Sequence, residues 1–457
     1  MSYPAYPEYK DSGVEWLGEV PAHWDVTTGK RLFSNRKERA LQDDKQLSAT
    51  QKYGVVPQNL FMESEQQKVT LALSGISSFR HVEVGDFVIS LRSFQGGIEI
   101  SDHSGCVSPA YTVMKPANKV DGSYFKHLLK SYGFISILNV VSDGIRDGKT
   151  ISYDQFSSVA FPVPPKEEQL LVATFLDHET ARIDALVEEQ QRLIALLKEK
   201  RQAVISHAVT KGLDPEVPMK DSGVEWLGEV PAHWTVGKVK HLAVISGGYA
   251  FNSNEFSDSG IQLIRIGNLY QSKLQLDREP IYVPMASRGK YKPFEVKWGD
   301  LLMSLTGTLG KRDYGFAVMY DSEEPGLLNQ RVAKITPLSE KVDPEFLLLL
   351  LQSESYLNQI YSLPSGTKQA NLSNSDVLSP WVACPSCLQE QSEIVNRVSE
   401  LMSRLDQLIN IAGVAISLLQ ERRTSLISAA VTGKIDVRGW QPPEGADAKE
   451  ASQQEAV

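Results

Sequence analysis

The segment KDSGVEWLGEVPAHW, residues 10–24, occurs again without a single change at residues 220–234. Agreement over fifteen consecutive residues is not expected by chance, so the chain is predicted to contain two copies of one structural unit. An internal repeat takes priority in assigning an architecture, because each copy is then expected to form an equivalent set of helices and strands. The repeat therefore decides how the rest of the chain is interpreted.

Weaker matches extend the repeat through both halves, at an offset that rises from 210 to 222 residues. The matched pairs are VGDFVISLR (84–92) with WGDLLMSLTG (298–307), EEQLLVATFL (167–176) with QEQSEIVNRV (389–398), ARIDALV (181–187) with SRLDQLI (403–409), and ISHAVTKGLD (205–214) with ISAAVTGKID (427–436). The halves differ mainly between about 25 and 160 and between about 235 and 380. This distribution predicts two similar scaffolds that carry dissimilar inserts.

Long helices are predicted in the well-matched part of each copy. Residues 167–209 contain neither Pro nor Gly and are rich in residues that favour helix. Both copies carry apolar residues in one heptad register, which is typical of a coiled coil. The predicted coiled-coil interface comprises Leu176, Ile183, Leu186, Leu193, Leu197, Val204, Val398, Leu401, Leu405, Leu408, Leu419 and Leu426. The alternative is two separate helices, each packed on its own domain.

The inserts are predicted to be mixed domains built on β-sheet. Short apolar runs interrupted by Gly-Asp, as in HVEVGDFVISL (81–91) and FEVKWGDLLMSL (294–305), are typical of strands joined by tight turns. The chain is accordingly divided into an N-terminal arm with the first repeat segment (1–24), a first domain (25–165), a central long helix (166–211), a linker with the second repeat segment (212–234), a second domain (235–385), a C-terminal long helix (386–435) and an acidic tail predicted to be disordered (436–457).

Composition indicates a folded protein. The chain has 457 residues, enough for two or three domains, and is 42% hydrophobic and 23% charged. The N-terminus has no apolar stretch typical of a signal peptide, and the longest strongly apolar run, FLLLLL (346–351), is too short to span a membrane. Three cysteines do not suggest a disulfide framework. A cytoplasmic protein with no membrane partner is expected.

The net charge of −9 at first argues against a nucleic-acid partner. Its distribution weakens that objection, because residues 25–165 have a net charge of +2 and residues 235–385 have none, counting Lys and Arg against Asp and Glu. Most of the acidity lies in residues 1–24, 212–234 and 441–457. Charge therefore neither requires nor excludes DNA.

Three short motifs suggest chemistry, and none carries a complete site. GIRDGKT (144–150) has three residues between its first Gly and Gly-Lys-Thr, whereas a phosphate-binding loop needs four. CPSC (384–387) has the spacing of a zinc or redox pair, but only Cys106 remains as a further thiol ligand. His23 and His233 lie in the two PAHW segments, where a turn packed on the domain is expected rather than a ligand pair. No metal site is predicted.

Familiar catalytic motifs are missing from the sequence. It contains no HExxH, no GxSxG and no GxGxxG after a strand, and it lacks the Asn-Pro-Pro-aromatic or Asp-Pro-Pro-aromatic motif of a DNA adenine methyltransferase. The chain is therefore predicted to be a non-catalytic binding subunit.

In the order of its motifs, the chain resembles the specificity (S) subunit of type I restriction-modification enzymes. The resemblance rests on GEVPAHW in each half, on ISGGYAFNSNEF and GIQLIRIGNL, on WGDLLMSLTGTLGK, and on SGTKQANLSNSDV with CLQEQSEIV before the long helix. In the first half the counterparts are VGDFVISLR and GKTISYDQFSSVAFPVPPKEEQ. It covers nearly the whole chain, apart from the acidic tail.

The resemblance implies an α+β fold: two mixed, β-sheet-based target recognition domains joined by two long helices in an antiparallel coiled coil, with an internal pseudo-twofold repeat. Each domain would read one half of a bipartite, asymmetric sequence in double-stranded DNA. The helices would separate the domains and dock two modification (methyltransferase) subunits, and restriction (translocase-nuclease) subunits would join the assembly. S-adenosylmethionine, ATP and Mg would bind to those partners, and no cofactor to this chain, in the cytoplasm of a bacterium or archaeon.

Base-contacting residues are expected among polar and basic side chains in glycine-containing loops, because Arg reads guanine and Asn or Gln reads adenine. The predicted DNA-binding residues are Arg92, Arg146 and Lys149 in the first domain, and Arg265, Asn268, Lys311, Arg312, Lys368, Gln369 and Asn371 in the second. Two other functions remain open. The chain could serve a related system whose single partner both methylates and cleaves, or be a coiled-coil scaffold that does not bind DNA.

Overall fold

The computed structural model of the protein describes residues 3–50, 53–65, 76–90, 97–141, 151–270, 272–363 and 369–442. The chain forms two compact units: the first contains residues 1–190 and 414–457, and the second contains residues 191–413. Both long helices are therefore divided between the units, a division that differs from the predicted segment boundaries. Each unit combines one globular insert with part of each helix.

The first unit alternates short strands with short helices before one long helix begins. Its strands are β1 (Tyr9–Asp11), β2 (Glu19–Pro21), β3 (Asp25–Thr28), β4 (Phe33–Asn35), β5 (Leu47–Thr50), β6 (Gly54–Pro57), β7 (Arg80–Val82), β8 (Phe87–Ile89), β9 (Ile98–Ile100), β10 (Gly105–Val107), β11 (Thr112–Pro116) and β12 (Ala160–Val163). Its helices are α1 (Gly29–Leu32), α2 (Gln58–Glu65), α3 (Gly122–Leu128), α4 (Tyr132–Val141), α5 (Tyr153–Ser158) and the first part of α6 (Lys166–Lys211).

The second unit repeats this order. Its strands are β13 (Met219–Asp221), β14 (Glu229–Pro231), β15 (Thr235–Lys238), β16 (Ala243–Gly247), β17 (Ile261–Ile264), β18 (Leu269–Tyr270), β19 (Lys273–Leu274), β20 (Tyr282–Val283), β21 (Glu295–Val296), β22 (Leu301–Ser304), β23 (Thr306–Thr308), β24 (Ala317–Met319), β25 (Gly326–Leu328), β26 (Val332–Pro337), β27 (Gln369–Asn371) and β28 (Trp381–Cys384). Its helices are α7 (Arg288–Tyr291), α8 (Pro344–Gln352), α9 (Glu354–Tyr361), α10 (Asn374–Leu378) and the first part of α11 (Leu388–Val431).

One antiparallel four-stranded sheet recurs in both units. The strand order is β4-β11-β8-β9 in the first and β16-β26-β22-β24 in the second. The apolar runs of β8 and β22 are buried on both faces: in β22, Leu301 and Met303 join one core and Leu302 joins another. Successive side chains of a strand point to opposite faces, so a continuous apolar run fits a sheet that is covered on both sides.

The identical fifteen-residue segments form identical local structures. In each, two short antiparallel strands pair, with Lys10 opposite Val20 and Lys220 opposite Val230. Each segment ends in a tryptophan that is almost completely buried, Trp24 in the first unit and Trp234 in the second. The repeat thus specifies a small hairpin that anchors one large aromatic side chain in each unit.

The His-Trp pair of each PAHW segment holds the first turn of the following long helix. In the first unit, His23 Nε2 lies 2.8 Å from Glu168 Oε2, and the Trp24 indole N–H donates to Glu168 Oε1 at 3.0 Å. In the second unit, His233 and Trp234 make the same contacts with Glu390. The two histidines therefore pack a turn against the helix start, as the sequence predicts.

In each unit, residues of α6 and α11 share one hydrophobic core. In the first unit this core includes Leu176 and Ile183 of α6 with Leu419, Leu426 and other residues of α11. In the second unit it includes residues of both helices that the heptad pattern selected, namely Leu197, Val204, Val398, Leu401 and Leu405. Within each unit the helices therefore pack on each other and also on the globular insert.

Three residues of the predicted interface are not buried as expected. The exposed fractions of Leu186, Leu193 and Leu408 are 38%, 41% and 48%. A two-helix contact covers only a narrow stripe, so a leucine at its margin stays partly exposed unless a globular insert also covers it. These three leucines are therefore partly exposed, and their place in the predicted coiled-coil interface stays a prediction.

One ion pair joins the two long helices in each unit. Asp184 and Arg423 form it in the first unit, with Nε and Oδ1 separated by 2.9 Å, and Arg201 and Asp406 form it in the second, at 3.6 Å. In the repeat, Asp184 corresponds to Asp406 and Arg201 to Arg423. The same pair is therefore formed twice, with the roles of the two copies exchanged.

No helix in the described ranges is both long and apolar enough to cross a membrane.

Candidate nucleic-acid interface

The predicted DNA-binding residues fall into three groups in the structure. Arg92, Arg146, Lys149 and Lys368 lie outside the described residues, as does the GIRDGKT motif. Arg265 and Asn268 lie in a short 3-10 turn that follows β17. Lys311, Arg312, Gln369 and Asn371 come together in another part of the second unit. All positions that can be evaluated therefore belong to the second globular insert.

Asn268 is a structural residue. It is only 2% exposed; its Oδ1 accepts the N–H of Arg265, and its Nδ2 donates to the carbonyls of Gln275 and Arg278. The guanidinium of Arg265 is held by Glu279, through the main-chain carbonyl and a 3.7 Å ion pair. A buried amide with satisfied hydrogen bonds is not available to a base edge, so the prediction that Asn268 contacts DNA is wrong.

The other four residues gather because β23 pairs with β27. Thr306 lies opposite Asn371 and Thr308 opposite Gln369, so the side chains of β27 stand beside the loop that contains Lys311 and Arg312. All four predicted residues are exposed. Residues about 60 positions apart in the sequence thus form one polar surface.

The loop after β23 has a fixed conformation. Asp313 accepts the backbone N–H of Thr308 through Oδ1 at 2.5 Å, and Arg312 has a left-handed backbone with φ of 51°. The hydroxyl of Tyr361 donates to the carbonyl of Tyr314 at 3.0 Å, and its ring centroid lies 5.3 Å from the Arg312 guanidinium. Burial raises the pKa of Tyr361 to about 12, so the hydroxyl remains a donor at neutral pH. A non-glycine residue at positive φ persists where surrounding contacts hold it, often at functional sites.

The cysteines are not arranged as a metal site. Cys384 is buried, with its pKa raised to about 12 by burial, whereas Cys387 is exposed just before α11. Cys106 is buried in the first unit. Among the residues that the structure describes, no group of three or more His, Cys, Asp or Glu side chains is placed to bind a metal ion.

Comparison with known proteins identifies the domain that carries this surface. The family model for the type I restriction modification DNA specificity domain matches residues 231–412. That range contains β23, β27 and the loop with Lys311 and Arg312.

The curated relatives are specificity subunits of type I restriction enzymes. The MjaVIII specificity subunit of Methanocaldococcus jannaschii is 27% identical over 62% of this chain, and the matched part spans 64% of that relative's length. The EcoKI specificity subunit of Escherichia coli K12 is 23% identical over 84% of this chain and 79% of its own length.

Solved structures have the same fold. A chain from a study of complex assembly and conformational transition in the type I R-M system matches 91% of this chain and 99% of its own length, with a TM-score of 0.67 and 13% identity. The HsdS subunit from Thermoanaerobacter tengcongensis matches 91% of this chain and 98% of its own length, with a TM-score of 0.52 and 13% identity. The repeat, the family model, the relatives and the shared fold agree: residues 231–412 match the type I restriction modification DNA specificity domain, and the chain as a whole is similar to type I restriction-modification specificity subunits.

Proposed function

We propose that this chain selects the DNA sequence on which a type I restriction-modification enzyme acts, and that each globular insert reads one half of a bipartite target. The chain is the non-catalytic recognition component of that enzyme. The observation that carries the proposal is the doubled framework: both inserts rest on the same hairpin, the same four-stranded sheet and the same helix start. The surfaces placed on this framework differ, as two readers of unlike half-sites require.

The long helices would form an antiparallel coiled coil. In support, the N-terminal part of α6 shares a core with the C-terminal part of α11 in the first unit, and the remaining parts share a core in the second. The exchanged Asp-Arg pairs are what a pseudo-twofold axis would produce. Such an axis presents equivalent surfaces to two identical partners.

The partners in this proposal are double-stranded DNA, two modification subunits and the restriction subunits. S-adenosylmethionine would bind to the modification subunits, and ATP with Mg to the restriction subunits. This chain would bind none of these cofactors and would act in the cytoplasm. A subunit that holds DNA together with its partners need not supply every phosphate contact, which is compatible with a net charge of −9.

Exchange of one domain tests the proposal. Residues 25–165 are replaced by the equivalent domain of a relative with another specificity, and methylated adenines are mapped across the genome of cells that also contain the partner subunits. One half of the methylated sequence should change while the other half and the gap stay the same. The reciprocal exchange of residues 235–385 is the matched control and should change only the opposite half.

The result also separates the remaining alternatives. A change in both halves, or in neither, contradicts independent reading by the two domains. A DNA-independent scaffold would give no sequence-selective retention of DNA by the purified complex at any salt concentration. A single partner that both methylates and cleaves would be identified by the composition of that complex.

A further inference from the structure

Three segments of the second unit adjoin along their backbones. The N–H of Leu305 donates to the carbonyl of Arg331 at 2.9 Å, and the carbonyl of Leu305 accepts the N–H of Leu372 at 2.8 Å. The turn 329–331, the loop 305–312 and strand β27 with Leu372 therefore form one continuous surface, the polar face. The turn 329–331 was not singled out by the sequence, although NQR between two apolar strands is a detectable polar interruption.

The polar face carries exposed donors and acceptors that the protein does not use. Its exposed side chains are Lys311, Arg312, Gln330, Arg331, Gln369 and Asn371. Apart from the contact of Arg312 with the Tyr361 ring, none of these side chains makes a hydrogen bond or ion pair with the described part of the chain. An unpaired set of Arg, Asn and Gln side chains is the set that reads guanine and adenine in the major groove.

The charge of this face favours DNA. It presents three cations, and the residues that adjoin it add two carboxylates, Asp313 and Asp376, which accept the Thr308 N–H and the N–H and hydroxyl of Ser373, so the net charge stays positive. Cations near the phosphates strengthen binding without specifying sequence, whereas side chains at the base edges specify it. The polar face has both kinds of side chain.

The turn 329–331 is held rigidly against the domain. A Cβ atom added at Gly248 would lie 2.2 Å from the carbonyl oxygen of Asn329, so the backbones can approach this closely only because residue 248 is glycine. The N–H of Gln330 donates to the Tyr249 carbonyl at 3.0 Å. Side chains on a fixed backbone lose little entropy when they bind, which favours precise contacts.

The first unit shows that these polar residues are not needed for the fold. Strands β10 and β11 correspond to β25 and β26, yet the turn between them is SPAY, residues 108–111, instead of the NQR of residues 329–331. The framework tolerates a turn without Arg, Asn or Gln. The polar side chains of residues 329–331 are therefore not required to form this turn.

We propose that the polar face is the base-reading surface of the second domain, with Arg331, Gln330, Gln369 and Asn371 at the base edges and Lys311 at a phosphate. Arg331 reads a guanine through two parallel hydrogen bonds, and the amides read adenines. This inference rests on the proposed function, and it names the residues that set one half of the sequence.

The test uses the full chain assembled with its partner subunits. Arg331→Ala, Arg331→Lys and Gln330→Ala are compared with the parent by mapping methylated adenines in cells and by competition binding of the purified complex to single-base variants of the target. Lys240→Ala is the matched control, because Lys240 is exposed and lies before β16, at the opposite end of the β16–β26 pair from Arg331.

Arg331→Ala should reduce discrimination at one base pair of one half-site by roughly 5- to 150-fold, the range expected for loss of one bidentate base contact. Arg331→Lys keeps the charge but not the bidentate geometry, so it should lose most of that discrimination while keeping its salt dependence. If Arg331→Ala does not fold, Arg331→Lys still tests the proposal. Gln330→Ala should relax a neighbouring position, and Lys240→Ala should leave the sequence unchanged.

Two kinds of failure are distinguishable. If the parent complex is sequence-selective but all three variants methylate its sequence with unchanged discrimination, the polar face is not the reader and this inference is overturned. If the parent complex itself shows no sequence preference, the proposed function fails instead.

Discussion

Gln169 and Gln391 occupy equivalent positions in the two copies and make the same three hydrogen bonds. The side-chain oxygen of Gln169 accepts the N–H of Asp121, the N-cap residue of α3, and that of Gln391 accepts the N–H of Asp343, the N-cap residue of α8. Each Nε2 donates to two carbonyls, those of Lys119 and Pro164 or those of Lys341 and Pro385. A buried amide that satisfies three backbone groups has few replacements, so both copies keep it.

Glu99 and Val318 also occupy equivalent positions, and here the copies differ completely. Glu99 lies opposite Val88 in one sheet, as Val318 lies opposite Leu302 in the other. Both side chains are buried, but Glu99 forms an ion pair with Lys130 at 2.7 Å, whereas Val318 belongs to an apolar core. The backbone around the start of each long helix is therefore constrained by the hydrogen bonds of its buried glutamine. The buried residues of the sheet, in contrast, can differ between the two copies.

The largest effect on stability should distinguish two helix positions at which the heptad pattern predicts the same packing. Ile183 and Leu405 are equivalent and buried, whereas Leu186 and Leu408, three residues later, are partly exposed in both copies. Ile183→Asp or Leu405→Asp should lower the free energy of unfolding by about 4 kcal/mol or more, because an unpaired carboxylate would enter an apolar core. Leu186→Asp and Leu408→Asp should cost about 1 kcal/mol or less, since the new charge can remain hydrated. Urea denaturation followed by circular dichroism measures all four. An equal loss at Leu408 would contradict the assignment of these positions.

The second prediction concerns the pH dependence of stability. Burial raises the pKa of Glu99 to about 7, from an ordinary value of 4.5, although Lys130 opposes the shift. The folded protein therefore binds this proton more tightly than the unfolded chain does, and the free energy of unfolding should fall as pH rises from 4.5 to 7. The contribution of this group should be about 3 kcal/mol.

Glu99→Val, which copies the residue at position 318, isolates that contribution. The variant should be more stable than the parent at pH 8 by about 3 kcal/mol, and the two should converge near pH 4. Val318→Glu is the reciprocal variant and should create a larger fall that extends to higher pH, because the residue that corresponds to Lys130 is Gln352, which has no charge to oppose the pKa shift. Parallel pH profiles for the parent and Glu99→Val would show that Glu99 does not titrate in this range.

The smallest predicted effect compares the two helix-start glutamates. Glu168 also accepts a hydrogen bond from the hydroxyl of Tyr6, and its side chain is only 6% exposed. In the second copy Glu216 occupies the position of Tyr6, so Glu390 lacks this contact, and its side chain is 30% exposed. Glu168→Ala would leave buried donors unpaired and should cost about 2 kcal/mol, while Glu390→Ala should cost about 1 kcal/mol. Thermal unfolding of both variants tests the difference. Equal losses would mean that Tyr6 does not strengthen the first contact.

The long helices could be predicted well, because residues 167–209 contain no helix breaker and heptad spacing is a local property. The burial of individual heptad residues could not, since Leu186 and Leu408 have the right spacing but lie at the margin of the helix contact. The DNA-contacting residues were predicted from residue type and glycine-rich context. That rule failed for Asn268, because a buried turn has the same local sequence character as an exposed loop.

The sequence by itself determined that the protein is a double unit with two long helices, because an identical segment and a shared heptad register constrain local structure wherever they occur. It also indicated the family, through motifs in a repeated order. Only the tertiary structure decided that the turn with Gln330 and Arg331 and the strand with Gln369 and Asn371 both adjoin residues 305–308, and that Glu99 replaces a core valine. Such neighbours are set by strand pairing between residues distant in the chain, and local sequence does not encode which strands will pair.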